Sequence, residues 1–232
     1  MLGIDDFFYV SDKSYDDLAE RAIPHYHEAH RLLMASLDFP SDAPISVVDL
    51  GVGTGVTSAY ILKNFPHAKV TGVDLFDEML CEARERLSPF SGRVNLVRSD
   101  NAEYLRGLDR RVDAIVSAFC IHHQNEEGKK SLFSLIRDQL RPGGQFVMLD
   151  WTTYFHPHLR AISREHSLAN MQSRVLDPQD QKKWTYHWNT VNKPSVHEDL
   201  IAWLNGTGLR AETFCRWPEL SLIVAFAEKE DS

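Results

Sequence analysis

From Ile45 to Asp150 short apolar runs alternate with longer stretches of helical period. The runs are Ser46 to Leu50, Lys69 to Leu75, Arg93 to Arg98, Ala114 to Ala118 and Gln145 to Leu149. Apolar runs of this length between polar or turn residues read as buried strands. Between them lie Val56 to Phe65, Asp77 to Leu87, Ala102 to Leu108 and Glu126 to Leu140. The last sets Leu132, Ile136 and Leu140 on one face, the mark of an amphipathic helix. Pro142-Gly143-Gly144 is expected to close that helix, because proline cannot continue it and glycine permits the reversal. Regular alternation of strand and helix predicts a parallel sheet with helices on both faces.

The pattern changes on either side of this region. A helix carrying Leu200, Ile201 and Leu204 ends at Asn205-Gly206-Thr207-Gly208; Leu209 to Phe214 and Leu220 to Ala227 then predict a hairpin-like strand pair around Trp217-Pro218. A hairpin at the end of a parallel sheet makes the sheet mixed. Residues 1–40 and 151–205 lack strand signals and predict a helical cover over the carboxyl edge of the sheet, where ligands of open α/β sheets bind. One domain in four parts is expected: a helical lid (1–40), a ligand-binding core (41–150), a helical cap insertion (151–205) and a final strand pair (206–232).

Composition narrows the partners. A chain of 232 residues with 43% hydrophobic content supports a sizeable core. Its formal charge of −8, with basic clusters no longer than Lys129-Lys130 and Lys182-Lys183, speaks against a nucleic-acid partner. Cys81, Cys120 and Cys215 stand far apart without a CxxC, which suits a reduced intracellular compartment and offers no zinc spacing. Acidic residues near the start and the lack of a membrane-length apolar run predict a cytoplasmic protein with no membrane partner.

Candidate chemistry begins at Val47 to Gly55, "VVDLGVGTG". Gly51, Gly53 and Gly55 follow a strand and precede a helix, so the backbone can turn sharply and a ligand can approach without meeting a Cβ. The spacing G-x-G-x-G departs from the dinucleotide G-x-G-x-x-G, since position 56 is Val, yet the glycines alone leave NAD and adenosylmethionine both open. Asp74 ends the second strand nineteen residues later, where a carboxylate accepts ribose hydroxyls of either ligand. Asp100-Asn101 ends the third strand and can meet an adenine edge. Structural alternatives exist for each: a tight turn for the glycines, helix N-caps for Asp74 and Asp100, and core packing for Met79.

Taken together, "VVDLGVGTG", "VTGVDLFDEML", "RSDNAEYL", "VDAIVSAFCIHH" and "LRPGGQFVMLD" resemble, in order, the motifs of the class I S-adenosylmethionine-dependent methyltransferases. The resemblance is close over residues 45–150. It implies a Rossmann-like seven-stranded mixed sheet of order 3-2-1-4-5-7-6, strand seven antiparallel, under a helical cap. It implies S-adenosyl-L-methionine as cofactor, held by Asp49, Gly51, Gly53, Gly55, Asp74, Asp100, Asn101 and Ala118, with Met79 covering the adenine. An acid such as Asp49 suits a phosphate-free cation, which it attracts, and not a pyrophosphate, which it would repel.

Methyl transfer from a sulfonium needs orientation and exclusion of water more than a universal catalytic group. An oxygen acceptor can use a general base, and His122 and His123 follow the fourth strand where this fold opens on the donor methyl. Their structural alternative is packing on Phe119. Trp151, Tyr154, Phe155, Trp184, Tyr186, His187 and Trp188 enrich the cap in aromatic and imidazole groups suited to a flat or apolar small-molecule acceptor. His156 and His158 flank Pro157, but without neighbouring acids or cysteines no metal is expected.

The segment "SYDDLAERAIPHYHEAH" also resembles the opening of the bacterial carboxy-S-adenosylmethionine synthases, in which the matching tyrosine faces the donor; this marks Tyr26 as a lid residue. The cap stretch from Asp180 to Leu200 has Lys182 and Lys183 and lacks the arginine those enzymes use for the extra carboxylate, and lysine does not supply a bidentate fork. Transfer of a methyl group to a small molecule is therefore the expected activity. A carboxy-S-adenosylmethionine synthase-like enzyme of tRNA wobble-uridine modification and a catalytically inert donor-binding partner protein are the alternatives, and a homodimer fits any of them.

Overall fold

The computed structural model describes residues 15–229, so the first fourteen residues of the expected lid lie outside the described residues. Helices α1 (Tyr15–Ala22) and α2 (Tyr26–Ala35) lead into β1 (Ser46–Leu50), α3 (Val56–Asn64), β2 (Lys69–Asp74) and α4 (Asp77–Arg86). A 3-10 segment (Ser88–Arg93) precedes β3 (Val94–Arg98), α5 (Asn101–Arg106) and β4 (Val112–Ala118). A second short 3-10 turn (Ile121–His123) is followed by α6 (Glu126–Gln139) and β5 (Leu140–Thr153). Then come α7 (Pro157–Arg174), α8 (Pro178–Thr190), β6 (Ser195–Val196), α9 (His197–Gly206), β7 (Leu209–Arg216) and β8 (Leu220–Ala227).

The sheet runs β3-β2-β1-β4-β5-β8-β7, with the first five strands parallel and β8 antiparallel to both its neighbours. The stub β6 pairs beside the end of β5 through Thr152 and Thr153. Setting that stub aside, β7 and β8 are the sixth and seventh strands, and the order is the expected 3-2-1-4-5-7-6. Two local expectations need correction. Residues 151–205 are not free of strand: β5 continues to Thr153 and β6 lies within them. The helix before β5 stops at Gln139, ahead of Pro142, because Leu140, fully buried, already pairs with Val112. Pro142-Gly143-Gly144 falls in the bulge where the register jumps to Ala114 opposite Gln145.

Both faces of the sheet are covered, which is why the central strands are almost continuously apolar. On one face Leu50, Ile115, Phe146 and Ile223 pack on Leu105 of α5, Phe133 and Ile136 of α6 and Leu200 and Leu204 of α9. On the other, Val47, Val116, Val147 and Leu222 pack on Leu33 of α2, Ile61 of α3 and Ala83 of α4. A third cluster joins Leu18, Ile23 and Tyr26 of the N-terminal segment to Trp151, Met171 and Trp184. That cluster roofs the carboxyl edge of the parallel strands.

Candidate functional site

The strand order fixes where the loops meet. Five neighbouring parallel strands end on one edge, and the loops after β1, β2, β3 and β4 line a cavity of about 260 Å³ there, with Trp184 and His187 of α8 on its far wall.

The glycine loop divides its labour. Gly51, Gly53 and Gly55 have φ of 71°, 53° and 85°, backbone that L side chains rarely adopt. A Cβ on Gly51 would lie 2.2 Å from Cys120 Sγ, and one on Gly55 3.0 Å from the Leu87 side chain. A Cβ on Gly53 would meet nothing nearer than 4.0 Å and would occupy the cavity instead. Gly51 and Gly53 therefore border the cavity, whereas Gly55 secures the packing of α3 on α4. Asp49 stands behind the loop, off the cavity wall and 1% exposed, with its Oδ2 accepting from Ser58 Oγ at 2.6 Å. Burial pushes its carboxyl up to about 7, and the nearby Asp74 charge adds to the effect.

Asp74 lines the cavity at the end of β2. Its Oδ2 accepts from the Gly53 N–H at 2.9 Å and its Oδ1 from the Phe76 N–H at 3.1 Å. A carboxylate offers about four lone-pair sites, so capacity remains for a ligand hydroxyl beside these backbone donors. Burial raises this carboxyl above the usual range while the backbone N–H donors oppose the rise. Asp100 also lines the cavity and caps α5, its Oδ1 accepting from Ala102 N and Glu103 N at 2.8 and 3.1 Å. Capping and a cavity position coexist here, because the second carboxylate oxygen takes no part in the cap. Asn101 Nδ2 donates to Cys120 Sγ at 3.4 Å, and Met79 and Ala118 complete the wall on either side.

Tyr26 opens α2 with its ring stacked on Phe119 at 5.9 Å between centroids. Phe119 itself adopts φ 53°, a left-handed conformation costly for a side chain of this size, and its ring also faces Trp151 at 6.1 Å. Helix α1 is fastened to the glycine loop. Asp16 Oδ1 accepts from Thr54 Oγ1 at 2.7 Å, Asp16 Oδ2 pairs with Arg86, and Arg86 Nε donates to the Thr54 carbonyl at 2.8 Å. Tyr15 and His30 line the cavity too, and sequence inspection passed over both. His30 lies four residues beyond Tyr26, on the same helical face, which was the available signal.

One part of the cavity wall is built from imidazoles. His122 Nδ1 lies 2.5 Å from Asp150 Oδ1, and the His122 N–H donates to Asp150 Oδ2 at 3.0 Å. Asp150, in β5 and 2% exposed, is a site residue the sequence reading missed. The His123 ring lies 4.0 Å from His122 and 5.3 Å from His187 between centroids, and its Nδ1 is buried without a hydrogen-bond partner among the described residues. Burial holds His123 far below the usual imidazole range and pushes His187 down to about 3, so both are neutral at neutral pH. His156 and His158 lie on exposed backbone at the start of α7, away from the cavity. Tyr154, Phe155, Tyr186 and Trp188 are likewise off the wall, although Trp188 packs edge-on against Trp151 at 4.2 Å. Among the described residues no lysine or arginine lines the cavity, while two carboxylates do. The electrostatics favour a cationic ligand over a phosphate.

A family model described as a methyltransferase domain matches residues 47–144. The malonyl-[acyl-carrier protein] O-methyltransferase of Xylella fastidiosa is 38% identical over 119 residues, which are 51% of this chain and 39% of that protein. The carboxy-S-adenosyl-L-methionine synthase of Campylobacter fetus is 25% identical over 219 residues, 91% of this chain and 90% of that protein. Among solved structures, an O-methyltransferase family protein from Burkholderia thailandensis has a TM-score of 0.71 at 15% identity, covering 99% of this chain and 64% of that one. The chain thus spans well under half of the first relative and nearly the whole of the second. Among the described residues no helix is long and apolar enough to cross a membrane.

Proposed function

We propose, from the premise that this chain belongs to the class I S-adenosylmethionine-dependent methyltransferases, that it transfers the donor's methyl group to a small-molecule acceptor held between Phe119, His122 and the α8 wall. One observation carries the reading: the bare Gly53 position opens on the cavity directly beside the Asp74 carboxylate, with no cationic side chain on the wall among the described residues. The residues fit the donor. Asp74 would accept its ribose hydroxyls, Asp100 and Asn101 would meet the adenine edge, and Met79 would cover that ring. Gly51, Gly53 and Ala118 would leave room for the amino-acid portion, with Asp49 behind the loop supplying negative charge and Gly55 holding the loop's shape. Tyr26 and Tyr15 would close the lid.

When bound, the donor supplies a methyl group on positively charged sulfur, which an acceptor lone pair takes as the carbon–sulfur bond breaks and its electron pair stays on sulfur. The chain's own part is orientation, dryness and proton acceptance. Phe119, Trp151 and Trp184 exclude water. Asp150 fixes His122 with Nδ1 toward the carboxylate, which leaves the Nε2 lone pair to accept a proton from an acceptor hydroxyl. His123 serves beside it as a neutral polar wall.

The synthase-like alternative is disfavoured by the same wall. Among the described residues an extra carboxylate on the donor would find no arginine or lysine there, since Lys182 is exposed, Lys183 half-buried and neither borders the cavity. Calorimetry with S-adenosylmethionine and NAD side by side tests the donor, and labelled methyl transfer to a panel of hydroxy acids, phenols and acyl-carrier thioesters tests the acceptor. Binding of NAD without S-adenosylmethionine would refute the proposal. Donor binding without turnover on any acceptor would favour an inert binding protein, and a copurifying donor heavier by a carboxylate would favour the synthase.

A further inference from the structure

The imidazole cluster is more than a general base requires. A base needs one oriented ring, and Asp150 already orients His122. His123 and His187 add two neutral rings to the same patch of wall, one from the turn after β4 and one from the cap. One nitrogen from each of the three lies within 4.8 Å of the others. We propose that His122, His123 and His187 form a binding site for a divalent transition-metal cation of the zinc class, with its open position facing the donor cavity.

Three features support this assignment. Three imidazoles leaving a fourth position open is the ligand set of a catalytic zinc site, and imidazole suits zinc, cobalt and nickel better than calcium or magnesium. The Asp150 contact to His122 Nδ1 at 2.5 Å is the arrangement in which a carboxylate fixes a ligand histidine, leaving Nε2 for the metal. The buried His123 Nδ1 has no hydrogen-bond partner among the described residues, an arrangement that costs free energy unless something binds there. Tetrahedral coordination with metal–nitrogen bonds of about 2.0–2.1 Å sets ligand nitrogens about 3.4 Å apart. The rings must therefore draw together by somewhat more than about 1 Å at their widest separation.

Lys193 and Lys129 both put positive charge near His123, and the Lys129 ammonium is engaged by other groups. Lys129 Nζ donates to the Lys193 carbonyl and, at 2.8 Å, to Ser195 Oγ, and Asp150 supplies a compensating negative charge. The consequence for chemistry rests on the methyl-transfer reading. An acceptor hydroxyl coordinated at the open position becomes more acidic and loses its proton to solvent, so the ion takes over the task His122 performs alone in the metal-free protein.

The test uses the whole chain, stripped with a chelator and titrated with Zn²⁺ by calorimetry and with Co²⁺ by visible absorption. Wild type should take up about one equivalent, with Co²⁺ bands of nitrogen coordination. His123→Ala and His187→Ala should each weaken Zn²⁺ binding at least about tenfold, and Asp150→Asn by about 10- to 100-fold. S-adenosylmethionine binding measured on every sample reports folding and the donor site separately. Donor binding with no stoichiometric metal uptake, or metal uptake unchanged in both His123→Ala and His187→Ala, overturns the metal site and leaves methyl transfer standing. Metal uptake without donor binding overturns the donor reading alone.

Discussion

Asp49 offers a quantitative test of how the glycine loop is built. Its carboxyl is 1% exposed, it accepts from Ser58 Oγ, and burial pushes it up to about 7 from near 4. The folded state therefore holds a proton between these values that the unfolded chain has released. Stability then falls as pH rises from the unfolded value, and the loss is complete above the folded one. At 1.36 kcal/mol per unit, the contribution changes by about 3 kcal/mol between about pH 4.5 and pH 7.5. Asp49→Asn keeps an oxygen for Ser58 and removes the titration. Urea unfolding of both proteins across that pH range should show wild type losing ground to the variant by about this amount as pH rises. A bound cation beside the loop would lower the Asp49 pKa, so S-adenosylmethionine should bind wild type more tightly as pH rises through about 7, and the variant with a flatter profile. Parallel stability curves for the two proteins would refute the buried-acid account. Parallel binding curves would place the donor's positive charge away from β1.

The glycines should separate by assay. Gly53→Ala costs folding only about 1–2 kcal/mol for its left-handed backbone but should weaken donor binding at least about tenfold, whereas Gly51→Ala adds an overlap with Cys120 of about 1–3 kcal/mol and should show first in thermal melts. Asp16→Asn loosens the lid's hold on Thr54 and Arg86. Because that ion pair is partly exposed, stability should change by less than about 1 kcal/mol while the donor off-rate rises several-fold, and an unchanged off-rate would show that the latch does not govern exit. Asp150→Asn should lower kcat by about 10²-fold or more, with donor affinity little changed, in single-turnover assays; equal activity would make the dyad structural.

Much of this was legible in the sequence. The five parallel strands announce themselves by short apolar runs alternating with stretches of helical period, and the final hairpin by Gly206 to Trp217. The two-residue β6 leaves no periodicity to detect, and the Leu140 strand start is set by pairing with Val112. At the site, Asp74 and Asp100 stand at strand ends and could be named in advance. The different duties of Gly51, Gly53 and Gly55 could not, because the atoms that decide them belong to Cys120 and Leu87. Asp150 needed the neighbour order, since only the pairing of β4 with β5 brings it under His122. His187 arrives from the cap, and no spacing along the chain relates it to His122.

The position of β8 bears on how this chain comes to life on the ribosome. The strand sits inside the sheet, zipped to Trp151 and Asp150 through Leu220 and Ser221, yet it is synthesised after α7, α8, β6, α9 and β7. The hydrophobic edge of β5 therefore stays bare until Leu220 to Ala227 has emerged. Nascent chains stalled before Leu220 should be the aggregation-prone species and the natural clients of chaperones.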